Sequence, residues 1–551
     1  MSRLALAALL SIGFYGVSFA QTWCGKNYMA SQPIVPPGGQ FTIPAISSTP
    51  VLAFRCAPAI KPYLPEDVAT PAGILIDTYL TYSQIEGAVP ITLSEYTGPG
   101  ELAVTVSLEG RVLTTGVVPL NATKVELPFS LLGLEPQMAS FDVSCEASYS
   151  TPGAAVQTFS ASTAISYLPT PPDGRSATKM DLRTGALLAK PASGAEGPYE
   201  TVLPTGFYTG FGGYLATNLS IIDEVKSLGY TVIHPIPPYD NITQLFEVIE
   251  RMEQVGLHLM YDMRLTYMNT TAVTEEVNRV KNSPALLLWY TGDEPDGTSD
   301  PLNATSIAYD LIYELDGYHP VSLVLNCQDY YWPDYTAGTD IVMQDTYMIG
   351  NNVTWSLEWN TACTPVYGCC GCDNCKGNFE DISTRMDEFA YRLWVEGWEG
   401  TKSVWTVPQG FGGEEYWTRP PTGQEFVVQS ALGINHGALG VVSWDMPTTA
   451  DILSYGSLLA QSSTALKDYI ANDRATFQHA FVDQIDVGLW TVGEQTLVLA
   501  TNLNYAPATF DLMSMPGLKT VPAVQVLNTG ATLNGTDIVL DPVGTGAFIL
   551  G

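Results

Sequence analysis

The sequence predicts an α/β protein: a (β/α)8 TIM barrel flanked by an N-terminal β-sandwich and a small C-terminal β-domain. Three observations predict it. Between residues 203 and 475, strand-length apolar runs alternate with helical periodicity, eight times over. Residues 21–168 instead show short stretches of strict alternation divided by turn residues. Residues 476–551 return to strands with no helical pattern. A barrel of this kind typically takes about 250 residues, close to the length of the middle segment.

The first element is residues 1–20, which read as a secretory signal peptide. Arg3 gives the positive start, Leu4 to Phe14 the apolar run, and Ser18-Phe19-Ala20 the small-x-small cleavage site before Gln21. No later run reaches the ~18 apolar residues of a membrane span, and the final Gly546 to Gly551 is too short for a lipid-anchor tail. The expectation is a secreted, extracellular protein. In that oxidising setting the nine cysteines (Cys24, Cys56, Cys145, Cys327, Cys363, Cys369, Cys370, Cys372 and Cys375) are expected to form disulfides. Their odd number leaves at least one thiol free or paired outside the chain. N-x-Ser/Thr sequons begin at Asn121, Asn218, Asn241, Asn269, Asn303, Asn352 and Asn534.

In the sandwich, residues 21–168, Leu102 to Leu108 alternates, as do Val125 to Leu131, Phe141 to Cys145 and Val156 to Ile165, with turns such as Gly98-Pro99-Gly100 between. One pair among Cys24, Cys56 and Cys145 could staple it. Pro169-Thr170-Pro171-Pro172-Asp173-Gly174 breaks the pattern, and residues 169–202 read as a linker. The barrel strands are expected at 206–208, 231–235, 257–262, 285–291, 321–326, 340–346, 403–408 and 440–444. Leu219-Ile222-Val225, Leu245-Val248-Ile249-Met252, Met386-Phe389-Ala390-Leu393 and Leu458 to Ile470 mark helices between and after them. A doubly wound sheet is the structural alternative. Gly210-Phe211-Gly212-Gly213 lacks the third glycine of a dinucleotide fingerprint. Gln495 to Leu503, Asp537 to Leu540 and Ala547 to Leu550 are strands of the last domain, 476–551.

With 56 acidic and 23 basic residues, the net charge of −33 excludes nucleic acid and anionic membranes as partners, because both need Lys and Arg. It suits a neutral substrate. Barrel enzymes place their chemistry where strands end. Those ends offer Tyr208, His234, Asp262 with Arg264, Asp293 with Glu294, Asn326, Asp345 with Tyr347, Gln409, and Trp444 with Asp445. Trp289, Tyr290, Tyr330, Tyr331, Trp332, Trp405, Trp417 and Trp444 flank them. Sugar C–H faces stack on aromatic planes, while carboxylates and amides bond hydroxyls, so the mixture points to a carbohydrate partner.

The sharpest segment runs from Leu286 through Trp289-Tyr290-Thr291-Gly292 to Asp293-Glu294-Pro295. It resembles the fourth-strand motif of retaining (β/α)8 glycoside hydrolases of clan A, in which an Asn-Glu-Pro segment carries the acid/base glutamate. The resemblance implies Glu294 as proton donor, with Asp293 in place of the Asn. The structural alternative is an acidic helix N-terminus. In clan A the nucleophile is a glutamate ending the seventh strand; here that strand runs Val404-Trp405-Thr406-Val407-Pro408-Gln409 and lacks it. Asp345 is the favoured second acid, with Glu414, Glu415, Asp262 and Asp445 as alternatives. Glycosidic cleavage needs one protonated and one ionised carboxyl, and inversion becomes possible if the second acid directs a water. Tyr208, His234, Asp262, Asp293, Asn326, Tyr347, Gln409 and Trp444 are expected to bind substrate. The stretch from Arg419 to Gly440 also resembles barrel glycosidases, and His436 within it reads as a packing residue.

Cys363 to Cys375 has zinc-like spacing, but secretion favours a disulfide-knotted loop beside the cleft. No two histidines have metal-ligand spacing, and no Gly-x-Ser-x-Gly or Walker-type segment occurs, so neither metal nor cofactor is expected. The sequence therefore reads as a secreted hydrolase of a plant or fungal cell-wall-type polysaccharide or oligosaccharide. A non-catalytic carbohydrate-binding or cell-wall protein, a polysaccharide lyase and a transglycosylase are the alternatives.

Overall fold

The computed structural model of the chain describes residues 22–29, 38–93, 100–151, 155–172, 175–518 and 523–551. The expected signal peptide and the Gly98-Pro99 turn lie outside the described residues. Eight parallel strands close on themselves: β1 (Thr205–Gly210), β2 (Val232–Ile236), β3 (His258–Asp262), β4 (Leu286–Asp293), β5 (Val321–Leu325), β6 (Ile341–Gln344), β7 (Ser403–Thr406) and β8 (Val441–Met446). β8 pairs in parallel with β1, which completes the barrel. Continuous apolar runs form these strands because both faces are covered. Inward side chains such as Tyr208, Val232, Met260, Leu288, Met343, Trp405 and Val442 fill the interior. Phe207, Ile233, Leu259, Tyr261 and Trp289 face outward onto the helices. Helix Ile242–Val255 shows how local signals bound the surrounding ring. Asn241 accepts from the Thr243 and Gln244 amides at its start, and Gly256 adopts φ 73° at its end.

The N-terminal β-sandwich packs one four-stranded sheet on another around a single apolar core. The Cys56–Cys145 disulfide joins strand Ile46–Pro58 of one sheet to strand Phe141–Tyr149 of the other. The C-terminal domain is an antiparallel sheet with its own core, in which Asp537–Leu550 is the central strand. Helices Gly423–Asn435 and Ala450–Ile470 pack against it.

Two segments differ from expectation. Residues 169–202 are not a bare linker. Thr178–Asp181, Ala186–Ala189 and Glu200–Val202 form a sheet with Ile60–Lys61. Its Met180, Leu182 and Leu187 join the barrel's interior cluster and plug the mouth where the strands begin. Gly185 (φ +88°) permits the close approach, since a Cβ there would meet Leu439 and Ser403. Three- and four-residue strands between prolines and glycines leave no readable periodicity. The second difference is the hairpin Thr22–Trp23/Lys26–Asn27, expected in the sandwich. It lies at the opposite mouth, where Cys24–Cys327 ties it to the residues after β5.

Candidate active site

The strand ends open into a cavity of about 500 Å³. Trp359, Phe411, Tyr416, Trp417 and Trp444 supply an aromatic wall, and Trp23 and Tyr28 of the N-terminal segment complete it. Asp293 ends β4 and Glu294 follows it. Glu294 takes a left-handed backbone, φ 51°, which costs a non-glycine residue energy and tends to mark functional positions. Its side chain makes no capping bond to the short helix Pro295–Thr298, so it is not there as a helix cap. It turns instead to Asp345, at the end of β6.

The two carboxyls are hydrogen-bonded to each other. The Asn326 amide bridges them, donating from Nδ2 to Glu294 Oε1 at 3.0 Å and to Asp345 Oδ1 at 3.2 Å. Asn326 is held from every side. Trp23 Nε1 donates to its Oδ1 at 2.9 Å, which fixes which end of the amide faces the acids. Asp296 accepts from its backbone N–H, and Arg385 donates to its carbonyl oxygen at 2.6 Å. Burial, then the charge of Asp345, push the Glu294 carboxyl well above the usual carboxylate range. Burial likewise raises Asp345, against the opposing effect of its bond with Glu294. One proton shared by two buried acids is the arrangement that keeps one of them protonated at neutral pH.

Behind this pair runs a buried polar chain. His234 Nε2 lies 2.8 Å from Asp262 Oδ2, Arg264 Nε donates to the same oxygen, and Arg264 Nη1 reaches Asp293 Oδ2 at 2.7 Å. Burial lowers the His234 ring's affinity for a proton. Burial alone would raise Asp262, but Arg264 and His234 hold it below its ordinary value. Tyr290 donates to the other Asp293 oxygen. Burial keeps Asp293 above its usual range despite Arg264. The guanidinium also lies 4.9 Å from the centre of the Trp444 ring.

Of the expected site residues, Tyr208, Asp293, Glu294, Asn326, Asp345, Tyr347 and Trp444 line the cavity together. Three do not. His234 and Asp262 are fully buried below it; Asp262 accepts from Arg264 and lies against His234 Nε2, while His234 Nδ1 has no hydrogen-bond partner among the described residues. Gln409 is also fully buried, because its amide pairs with both backbone groups of Ile349. These three lie beneath the cavity rather than on its wall. Glu414 and Glu415 face the cavity from the loop after β7. The cysteine loop is knotted by Cys363–Cys370 and Cys372–Cys375, and the odd thiol is the buried Cys369, which also lines the cavity. Trp23, Asp296 and Arg385 escaped sequence reasoning. Asp296, two residues beyond Glu294, had a signal in the same acidic segment; Trp23 and Arg385 had none, since they reach Asn326 from remote parts of the chain.

No family model and no curated relative matches this sequence. Solved structures with similar architecture include an FMN-binding beta-glucuronidase from Facaelibacterium prausnitzii L2-6, 12% identical, with 92% of this chain and 70% of that chain aligned at a TM-score of 0.34. A second is the b-glucuronidase from Ruminococcus gnavus in complex with D-glucuronic acid, 11% identical, TM-score 0.34; 74% of this chain aligns with 63% of that one. A third is a GH30 endoxylanase from Clostridium papyrosolvens C71, 9% identical, TM-score 0.41; 64% of this chain aligns with 97% of that one. The chain thus spans less than two thirds of the Ruminococcus enzyme's length.

Proposed function

We propose that the protein is a secreted glycoside hydrolase acting on a cell-wall-type polysaccharide or oligosaccharide, with Glu294 as proton donor and Asp345 as the ionised partner. The observation that carries this reading is the Glu294–Asp345 pair, bridged by Asn326 inside an aromatic-walled cavity. Glycoside cleavage makes an oxocarbenium-like centre and a leaving oxygen that needs a proton. A carboxyl held protonated by burial serves the oxygen; its neighbour stabilises or attacks the anomeric carbon. One amide nitrogen reaching an oxygen of each acid, at 3.0 and 3.2 Å, holds the pair nearer the ~5–5.5 Å spacing of retaining enzymes than the ~6.5–9.5 Å that admits a water for inversion. This favours the retaining route, in which Asp345 attacks and Glu294 then activates water to release the sugar.

The cavity lining also favours an uncharged or cationic glycan. Asp293, Glu294, Asp345, Glu358, Glu414 and Glu415 line it, and among the described residues no Lys, Arg or His does. A uronate would enter against like charge. The test is a panel of neutral, amino and uronic polysaccharides and aryl glycosides, with the first product's anomer read by NMR. Retained configuration on a neutral or amino glycan supports the reading. An unsaturated, ultraviolet-absorbing product would establish a lyase, and binding without product would establish a carbohydrate-binding protein.

A further inference from the structure

A separate polar cluster lies where the barrel meets the C-terminal domain, away from the residues that line the cavity. His436 caps the C-terminal end of helix Gly423–Asn435. His479 belongs to strand Thr476–Val482 and Asp486 to strand Ile485–Val492. His436 Nε2 and His479 Nε2 stand 3.1 and 2.9 Å from the same oxygen, Asp486 Oδ2. All three atoms lie within 4.8 Å of one another. An outer layer orients them. His436 Nδ1 is 2.8 Å from Asp387 Oδ1, and Asn435 Nδ2 donates to Asp486 Oδ1 at 2.7 Å.

We propose that this junction binds one divalent transition-metal ion, zinc by its ligand chemistry, through His436 Nε2, His479 Nε2 and Asp486 Oδ2, with water as fourth ligand. Imidazole and carboxylate are ordinary zinc ligands at about 2.0–2.2 Å, and tetrahedral neighbours at that radius sit roughly 3.4 Å apart. The nitrogen–oxygen separations here fall just inside that spacing. A histidine that binds metal through one nitrogen typically donates from the other to a carboxylate, and Asp387 stands in that position for His436. Protons can join these atoms only by aiming two ring N–H groups at one oxygen, with ring centroids 4.6 Å apart. A dication uses the same three atoms as ligands and balances Asp486 and Asp387 together. The His479 side chain is 29% exposed, against 2% for Asp486, which leaves the ion a path and a water position.

Such an ion ties the last barrel helices to the terminal sheet and stabilises the folded chain by binding it alone. The expectation of no metal rested on local spacing; His436 and His479 lie on different elements and meet only when the two domains pack. The test uses the full chain, stripped with chelator and dialysed, then titrated with zinc chloride by calorimetry and followed by thermal unfolding. One equivalent should bind, and Tm should rise with the logarithm of free zinc. In His479→Gln, which keeps an N–H donor for Asp486 but removes the imidazole ligand, affinity should fall at least tenfold and the Tm response should vanish. Asp387→Asn leaves all three ligands in place on an exposed side chain and should weaken binding roughly 10–100-fold, as loss of an outer-layer carboxylate does. Polysaccharide hydrolysis should proceed alike in stripped and loaded protein. Failure of the parent to bind zinc stoichiometrically overturns the proposal. So does an undiminished affinity in both variants.

Discussion

Glu294 and Asp345 are distinguishable by what each loses. Glu294→Gln keeps the bond from Asn326 but cannot give a proton, so kcat should fall about 10²–10⁴-fold, the usual worth of a positioned acid. Activated aryl glycosides, whose leaving groups need little protonation, should lose less. Asp345→Asn should damage both substrate types; if it proves mild, the second acid is Glu414 or Glu415 across the cavity. The pair also sets a pH profile. Both carboxyls are raised, so kcat/KM should climb as the pair loses its first proton and drop as it loses the second. The alkaline limb should disappear in Glu294→Gln, and a profile with both limbs intact would falsify the assignment of the proton to Glu294. Reading the sequence reached Glu294, Asp345 and Asn326 because each sits where a strand ends. It did not foresee that His234, Asp262 and Gln409 lie beneath the cavity, because a strand end gives the height of a side chain in the barrel, not whether neighbours cover it.

The N-terminal hairpin is the element whose importance the linear chain conceals. Trp23 fixes the Asn326 amide, Cys24 is bonded to Cys327, and Lys26 pairs with Asp373 of the cysteine loop. The hairpin therefore acts on the acid pair through Asn326. Trp23→Phe removes the indole N–H while keeping an aromatic surface. It should lower kcat about fivefold with little change in Tm, the loss expected of one misplaced hydrogen bond worth roughly 1 kcal/mol. Removing the sandwich disulfide by Cys56→Ala with Cys145→Ala makes the opposite comparison. It should lower the unfolding temperature while leaving kcat near its parent value, because that bridge spans two sheets remote from the cleft. Parallel thermal scans and single-turnover rates on both variants check the contrast. The eight barrel strands were legible because burial on both faces writes a continuous apolar run. The floor sheet was not, because Thr178–Asp181 and Ala186–Ala189 are too short to show a period and owe their order to the barrel above them. The hairpin was illegible for the same reason: its place comes from a disulfide partner 303 residues away.

At the scale of the whole molecule, the excess of acid becomes a dependence of stability on pH. Burial raises Asp293 and Glu294, takes Asp296 and Asp345 to about 7, and takes Asp445 to about 6. Asp293, Glu294 and Asp345 line one cavity, and Asp296 accepts from the backbone of Asn326 beside it. Between the ordinary carboxylate range and those values the folded chain holds protons that the unfolded chain has released. Stability therefore declines as pH rises from about 4 to about 7. A smaller set pulls the other way. Lys61 holds Asp340 low, Arg264 and His234 hold Asp262 low, and Arg419 holds Glu425 low, each against its own burial. Their contribution is present above the ordinary carboxylate pKa and is lost as pH falls below it. The two trends leave a maximum in mildly acid solution, and thermal unfolding across pH 3 to 8 should show Tm highest near pH 4–5. Glu294→Gln removes one of the raised groups, so it should increase Tm at pH 7 and do little at pH 4. Under the proposed function, a proton donor that destabilises its own fold at neutral pH is the cost of keeping a proton where the leaving oxygen needs it. A Tm that rises steadily toward pH 8, or falls in Glu294→Gln at pH 7, would mean that the cavity's carboxyls are ionised and solvated rather than held protonated.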